Sequence, residues 1–219
     1  MSFYEKQVLP RLIDFAMSTG PMEKLRERAA APLGGSTVLE IGFGSGLNLP
    51  FYPTSVKQLL AVDPALVGRK LARKRLAEVP FEVDFVGLDG QAIDLPDHSV
   101  DSALCTWTLC TIPDAERALY EVKRVLKPGG SLRFVEHGRH PEAGVARWQD
   151  RLNPVQRFFV GGCNLNRPID SILQATGFDL EELETFAMPG PRWMTWSYLG
   201  TARSPEGTAR GTEQDAERA

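Results

Sequence analysis

The sequence predicts an α/β fold built on a mostly parallel sheet, and three observations predict it. Thr37-Val38-Leu39-Glu40-Ile41 is a short apolar, β-branched run of the kind that forms a strand buried on both faces. It gives way to Gly42, Gly44 and Gly46 at alternate positions, a turn after which a helical stretch can begin. From there to Gly177 strand-like and helix-like stretches alternate, and two consecutive strands, 180–187 and 192–202, then read as a β-hairpin.

Composition narrows the functional classes. A chain of 219 residues, 42% hydrophobic and 24% charged, fits one soluble domain with one substantial core, here placed at 1–202. Residues 203–219 have almost no large hydrophobes and are expected to be disordered. A net charge of −3 supplies no general attraction for nucleic acid. Cys105, Cys110 and Cys163 are odd in number and lack C-x-x-C spacing. A disulfide framework, a zinc knuckle or another metal site is therefore not expected, and a reducing cytoplasm fits best. No apolar run approaches membrane-spanning length and no signal-peptide core is visible, which leaves at most peripheral membrane contact. Oligomeric state is not legible.

Taken in order, residues 1–35 carry two helical stretches separated by Gly20-Pro21, with Val8, Leu12, Ile13, Phe15 and Ala16 on one apolar face and Met22, Leu25 and Ala29 on the other. Leu47 to Pro53 is too proline-rich for a long helix, although it carries Asn48 close behind the glycines. The second strand, 57–62, ends at Asp63-Pro64. Asp63 is placed to accept from both hydroxyls of a ribose and to cap the next helix, about 64–79, with Pro64 at its first position. The basic run Arg69 to Arg75 on that helix reads as a solvated outer face. Phe81 to Val86 alternates as a third strand near a sheet edge.

The fourth strand, 100–106, brings Thr106 and Trp107 to the carboxyl edge of the sheet, where open α/β folds bind ligands. A helix from Asp114 to Leu126 stops at Lys127-Pro128-Gly129-Gly130. Strand five, 131–136, places Glu136 and His137 at the same edge. His137 is either a general base or a group that hydrogen-bonds and caps the strand. Cys110 is a candidate nucleophile or metal ligand, but a small buried hydrophobe is the far commoner role of an unpaired Cys. The stretch 144–159 is helical with an interruption at Pro154, and a last helix has Pro168 at its first position and ends at Gly177.

Three segments carry a family resemblance. The turn reads E-x-G-x-G-x-G over Glu40 to Gly46, not the dinucleotide G-x-G-x-x-G, whose third glycine would fall at Leu47. An NAD-dependent oxidoreductase is disfavoured on that ground. Asp89-Gly90-Gln91-Ala92-Ile93-Asp94-Leu95-Pro96-Asp97-His98-Ser99-Val100-Asp101 and Arg124 to Gly130 supply the other two. Together they resemble the class I methyltransferases that use S-adenosylmethionine (SAM) and release S-adenosylhomocysteine (SAH). That resemblance implies a Rossmann-like, seven-stranded, mostly parallel sheet with a C-terminal β-hairpin and an N-terminal helical lid formed by 1–35, whose apolar faces on their own suit packing on the sheet equally. It also implies that Gly42 and Gly44 wrap the methionine part of SAM, with Glu40 near its ammonium. Asp89 would accept from the adenine amino group, and the Gly90 N–H would reach a ring nitrogen. Gly46, Asn48, Pro64 and Gln91 adjoin these residues and complete the expected cofactor set with Asp63, Thr106 and Trp107. Phe134-Val135-Glu136-His137, Trp148 and Gly162-Cys163-Asn164-Leu165-Asn166-Arg167 look like the branch holding thiol S-methyltransferases and bacterial enzymes labelled phosphatidylethanolamine N-methyltransferases.

The expected activity is methyl transfer to a small, apolar acceptor, with thiol, amine or phenol all open. Phospholipid N-methylation and a non-catalytic SAM-binding protein are the alternatives. Phe15, Trp148, Phe158 and Phe159 suit an apolar acceptor, and they suit core packing equally.

Overall fold

The computed structural model describes Tyr4 and residues 8–206. Two helices, α1 (Leu9–Met17) and α2 (Gly20–Ala30), precede the sheet. They are followed by β1 (Thr37–Ile41), β2 (Gln58–Val62), α3 (Leu66–Leu71), α4 (Arg73–Leu76), β3 (Glu82–Gly87) and β4 (Val100–Thr106). The chain continues through α5 (Ala115–Val125), β5 (Leu126–His137), α6 (Ala143–Phe159), α7 (Ile169–Ala175), β6 (Asp179–Ala187) and β7 (Trp196–Arg203).

The sheet has seven strands in the order β3-β2-β1-β4-β5-β7-β6. The first five pair in parallel, and β7 runs antiparallel to both β5 and β6. The strand order reverses between β1 and β4, and at such a switch point the turns leaving two adjacent strands diverge to opposite faces and open a crevice at their carboxyl ends. Successive β1 side chains go to opposite layers. Val38 packs with Leu25, Ala29 and Leu104, whereas Leu39 and Ile41 pack with Leu119, Val122 and Leu173. Glu40 shares the Val38 side, so its carboxylate lies beneath α2.

Several boundaries differ from expectation for identifiable reasons. The helix expected at 64–79 is two short helices, and Asp63 and Pro64 stand before it; Ala65 is the residue preceding α3. Pro154 lies inside α6 without interrupting it. Its missing N–H removes one bond, but side chains on the turns just before it anchor the helix. Gln149 donates to the carbonyls of Gly138 (2.9 Å) and Leu165 (3.0 Å), and Asn153 accepts from the Leu165 N–H (2.8 Å). Pro168 is the residue before α7, not its first. Strand β5 starts at Leu126, because the register jumps from Val100–Leu126 to Ser102–Ser131 and absorbs the proline–glycine turn as a bulge. The last strand begins at Trp196 and runs to Arg203, and Ser204 donates its N–H to the Gly130 carbonyl at 2.8 Å. The expected disordered tail therefore does not begin at 203, and 207–219 lies outside the described residues.

The two N-terminal helices divide. Helix α2 buries Leu25, Arg26, Ala29 and Ala30 against the sheet, as core. Helix α1 leaves Leu12, Ile13 and Phe15 exposed, Phe15 by 82%. Within the basic run, Lys70, Arg73 and Lys74 are solvated, whereas Arg69 lies over the Phe85 ring at 4.1 Å and Arg75 pairs with Asp14 at 3.1 Å.

Candidate functional site

The glycine turn leaves β1 with Gly42, Gly44 and Gly46 all at positive φ (78°, 56° and 73°), a region that side chains make costly. A Cβ on Gly42 would meet Thr108 Oγ1 at 1.8 Å, and one on Gly46 would meet Leu49 Cδ1 at 2.8 Å. Gly44 is different: a Cβ there would meet no protein atom nearer than Gly42 O at 3.9 Å. The open face of the turn is therefore at Gly44.

Asp63 is tied to this turn. Its Oδ2 accepts from the Gly44 N–H at 2.7 Å and its Oδ1 from the Ala65 N–H at 2.6 Å. Burial raises its pKa, and those two N–H bonds oppose the rise. Each oxygen keeps a second lone pair for a ligand hydroxyl. Asp89 stands beyond the adjacent strand β3 and is exposed. Gln91 donates both its backbone N–H and its Nε2 to a single oxygen, Oδ1, each at 2.9 Å, which holds the Asp89 carboxylate below the usual range. Gln91 Oε1 in turn accepts from the Asp114 N–H at 3.0 Å, fixing the loop to the start of α5. Gly90 is buried, with room for no more than a tight Cβ contact to Ile41 at 3.0 Å. Pro64, next to Asp63, is exposed.

Glu40 is fully buried, with Asn48 Nδ2 on one oxygen (2.6 Å) and the Tyr52 hydroxyl on the other (2.7 Å). Burial lifts its pKa to about 7, against those two bonds and the nearby Arg26. Arg26 reaches in from α2, donating to Asn48 Oδ1 (2.8 Å) and Thr106 Oγ1 (3.0 Å), and its guanidinium lies 4.9 Å from the Trp107 ring centre. Burial lowers its pKa to about 10, and its Nε has no partner. Glu40, Asn48 and Thr106 thus meet in one network with two residues that sequence reasoning missed, Arg26 and Tyr52. Nothing in the spacing of an N-terminal helix tells which of its basic residues turns inward.

Trp107 is half-buried and has φ +50°, unusual for a non-glycine residue and worth of order 1 kcal/mol in strain. Glu136 holds the turn that follows: its carboxylate accepts from the N–H groups of Thr108 (2.7 Å), Leu109 (2.9 Å) and Cys110 (3.4 Å). Burial pushes its pKa up to about 8 against those bonds. That turn delivers Cys110 to His137. His137 Nε2 lies 2.9 Å from Cys163 Sγ, which lies 3.6 Å from Cys110 Sγ, while His137 Nδ1 is buried without a partner. Cys110 is thus not the isolated buried thiol that the sequence suggested. Cys163 donates to it and draws its pKa down, with Cys163 held up in consequence. Burial draws the His137 imidazole down, but the Cys110 sulfur and Glu136 outweigh that and hold it at about 9.

A cavity of about 1040 Å³ is lined by Tyr4, Asn153, Pro154, Arg157, Phe158 and Phe159 and by Gly161 and Gly162, which precede Cys163 in the chain. Phe158, Phe159 and Trp148 are 75%, 58% and 56% exposed, so they are not core. Among the described residues, no helix is long and apolar enough to cross a membrane.

A family model described as "Methyltransferase domain" matches residues 39–134. Thiol S-methyltransferase TMT1A of Homo sapiens is 34% identical over 164 residues, covering 73% of this chain and 67% of that protein. Thiol S-methyltransferase TMT1B of Rattus norvegicus is 35% identical over 162 residues, 72% of this chain and 66% of that protein. Phosphatidylethanolamine N-methyltransferase of Cereibacter sphaeroides is 31% identical over 141 residues, 59% and 66%. The chain spans about two thirds of the length of these curated relatives. In fold it is similar to the [4+2]-cyclase SpnF, with TM-score 0.66 and 24% identity over 85% of this chain and 81% of that one. A SAM-dependent methyltransferase of Thermotoga maritima superposes with TM-score 0.63 and 21% identity, over 91% and 99%.

Proposed function

The chain belongs to the SAM-dependent methyltransferases, and from that premise we propose that it methylates a small apolar thiol bound between the glycine turn and His137. SAM is its cofactor and supplies an activated methyl on a sulfonium. The residues present fit it: Gly44 offers the turn's open face, and Asp63 and Asp89 stand at adjacent strand ends with accepting capacity left. In this reading Gly42, Gly44 and Gly46 give the backbone its close approach, Asp63 takes the ribose hydroxyls, and Asp89 with Gly90 takes the adenine edge. Glu40 is fully buried behind Asn48 and Tyr52, so it acts through Asn48 and Arg26, and Arg26 becomes the cation for the cofactor's carboxylate. Gln91, Pro64, Thr106 and Trp107 shape the walls.

The observation that carries the reading is the cleft's asymmetry across the switch point, with glycines and carboxylates on one side and His137 among two thiols on the other. An acceptor there needs its nucleophilic atom held in line with the methyl and shielded from water. Thiols need only ionise, and His137, held protonated up to about pH 9, is the cation at that end beside which a thiolate is favoured. His137→Ala is expected to lower turnover by about 100-fold or more while SAH affinity stays within about threefold. Unchanged turnover with every accepted substrate removes His137 from the chemistry.

The deciding experiment assays SAH formation over a panel of thiols, amines and phenols, with phosphatidylethanolamine vesicles as a further arm. Thiols are expected to lead. Turnover only on vesicles would favour the phospholipid reading, which draws on the exposure of Phe15, Phe158 and Phe159. SAH binding with no turnover anywhere would make the chain a SAM-binding protein instead. Its three free cysteines suit a reducing compartment such as the cytoplasm.

A further inference from the structure

We propose that Cys110, His137 and Cys163 form a binding site for one thiophilic divalent cation, of which Zn2+ is the type, with its fourth position open to the acceptor. The inference rests on the thiol reading above and concerns how that thiol is ionised.

The donor atoms come from three separate parts of the chain, and all lie within 4.8 Å of one another. A tetrahedral zinc with bonds of about 2.3 Å to sulfur spaces two thiolates about 3.8 Å apart. The two sulfurs already stand at 3.6 Å, so only the His137 ring, 2.9 Å from Cys163, must draw back. Each donor is held in place by the fold. Cys110 follows the turn anchored on Glu136, and His137 ends β5, paired with Ser197. Cys163 is fixed between a Val160 bond (3.1 Å) and Asn164, whose Nδ2 and N–H both donate to the Cys110 carbonyl (2.9 and 2.8 Å). The Cys110 and Cys163 loops are therefore locked to each other.

Without a cation the cluster is costly. It buries two thiols against an imidazole nitrogen, joined only through contacts to sulfur, which is a weak donor and a weak acceptor. Two thiolates and a dication sum to zero charge, which is the form that burial tolerates. Two sulfurs and one imidazole select Zn2+ over hard cations such as Mg2+ or Ca2+. Three protein ligands leave one position open, as in catalytic zinc sites, and Gly161 and Gly162, which immediately precede Cys163, line the cavity. A thiol entering there binds as its thiolate: its S–H bond breaks, a sulfur–metal bond forms and the proton leaves to solvent. His137 Nε2 is then a ligand, and the metal replaces the imidazolium as the cation beside that thiolate.

The test uses the full chain, reduced and stripped with chelator, then titrated with Zn2+ against a chromophoric chelator. One equivalent per chain is expected, bound at least about 100-fold more tightly than by Cys110→Ser/Cys163→Ser. The Co2+ form should show thiolate charge-transfer absorption that shifts on adding a thiol acceptor but not a phenol. SAH titration of both proteins checks that they are folded. No binding above the double variant, or stoichiometric binding that survives in it, overturns the site, and a Co2+ spectrum indifferent to thiols overturns the open position. Failure of Zn2+ with SAH binding and methyl transfer intact retires the metal alone. Loss of SAH binding with Zn2+ retained retires the methyltransferase reading and leaves the metal site standing.

Discussion

Gly44→Ala is expected to leave the protein folded while costing it the cofactor. The new Cβ meets nothing of the protein within 3.9 Å, and φ of 56° is the left-handed well, where alanine costs roughly 1–2 kcal/mol. For a chain of this length that lowers the melting temperature by about 2–8 °C. The space the methyl takes is the open face of the turn, where the backbone has to approach the ligand. SAH affinity should therefore fall by about 30-fold or more, some 2 kcal/mol. Gly68→Ala supplies the contrast. Its Cβ would land 2.3 Å from the Gly44 carbonyl oxygen and 2.7 Å from its carbon, and backbone cannot yield as a side chain can. That variant should lose stability first and binding only as a consequence. Calorimetric titration with SAH beside thermal melts of both proteins separates the two effects. Wild-type affinity in a folded Gly44→Ala chain would mean that the cofactor does not lie on this turn.

The contrast also marks what the sequence could disclose. Local signals placed β1 and β4 at their observed bounds, because Thr37–Ile41 and Val100–Thr106 are apolar runs closed by sharp turn chemistry. The turn itself was legible because glycine at alternate positions is a backbone statement written directly in residue type. Elements whose limits depend on tertiary contacts were not. Pro154 reads as a break until Gln149 and Asn153 are seen anchoring the turns just before it, and the 64–79 helix divides at the buried Ala72. The acceptor end suffered most. Cys110 and Cys163 are 53 residues apart, and no spacing rule joins two loops that meet only because β4 and β5 are neighbours. Arg26 was hidden likewise: its neighbour Arg28 pairs with the exposed Glu184, and only the fold decides which of the two goes inward.

Stability should fall as pH rises from about 5 to 8, the reverse of what paired surface carboxylates produce. Burial lifts Glu40 to about 7 and Glu136 to about 8, from 4.5. Between those limits the folded chain keeps protons that the unfolded chain has released, so stability falls as pH climbs, by on the order of 3 kcal/mol for Glu40 and 5 kcal/mol for Glu136. His137 acts in the same sense over 6.5 to about 9, because its raised pKa also means that the folded state holds the proton longer. Acid sets the other limit. Despite a burial cost, Lys127 and the N–H groups of Thr37 and Ser36 hold Asp101 down at about 2, and that contribution disappears only as pH falls well below 4. Urea unfolding of the ligand-free, metal-free chain at pH 5.5 and pH 8.5 should therefore give the larger free energy at pH 5.5. Glu40→Gln keeps a neutral hydrogen-bonding group in place and should flatten the part of the slope lying below pH 7. A curve that is level or rising over this range, or identical slopes in the two proteins, would show that Glu40 is ionised in the folded state. In that case Arg26, directly beside it, has to be carrying its charge.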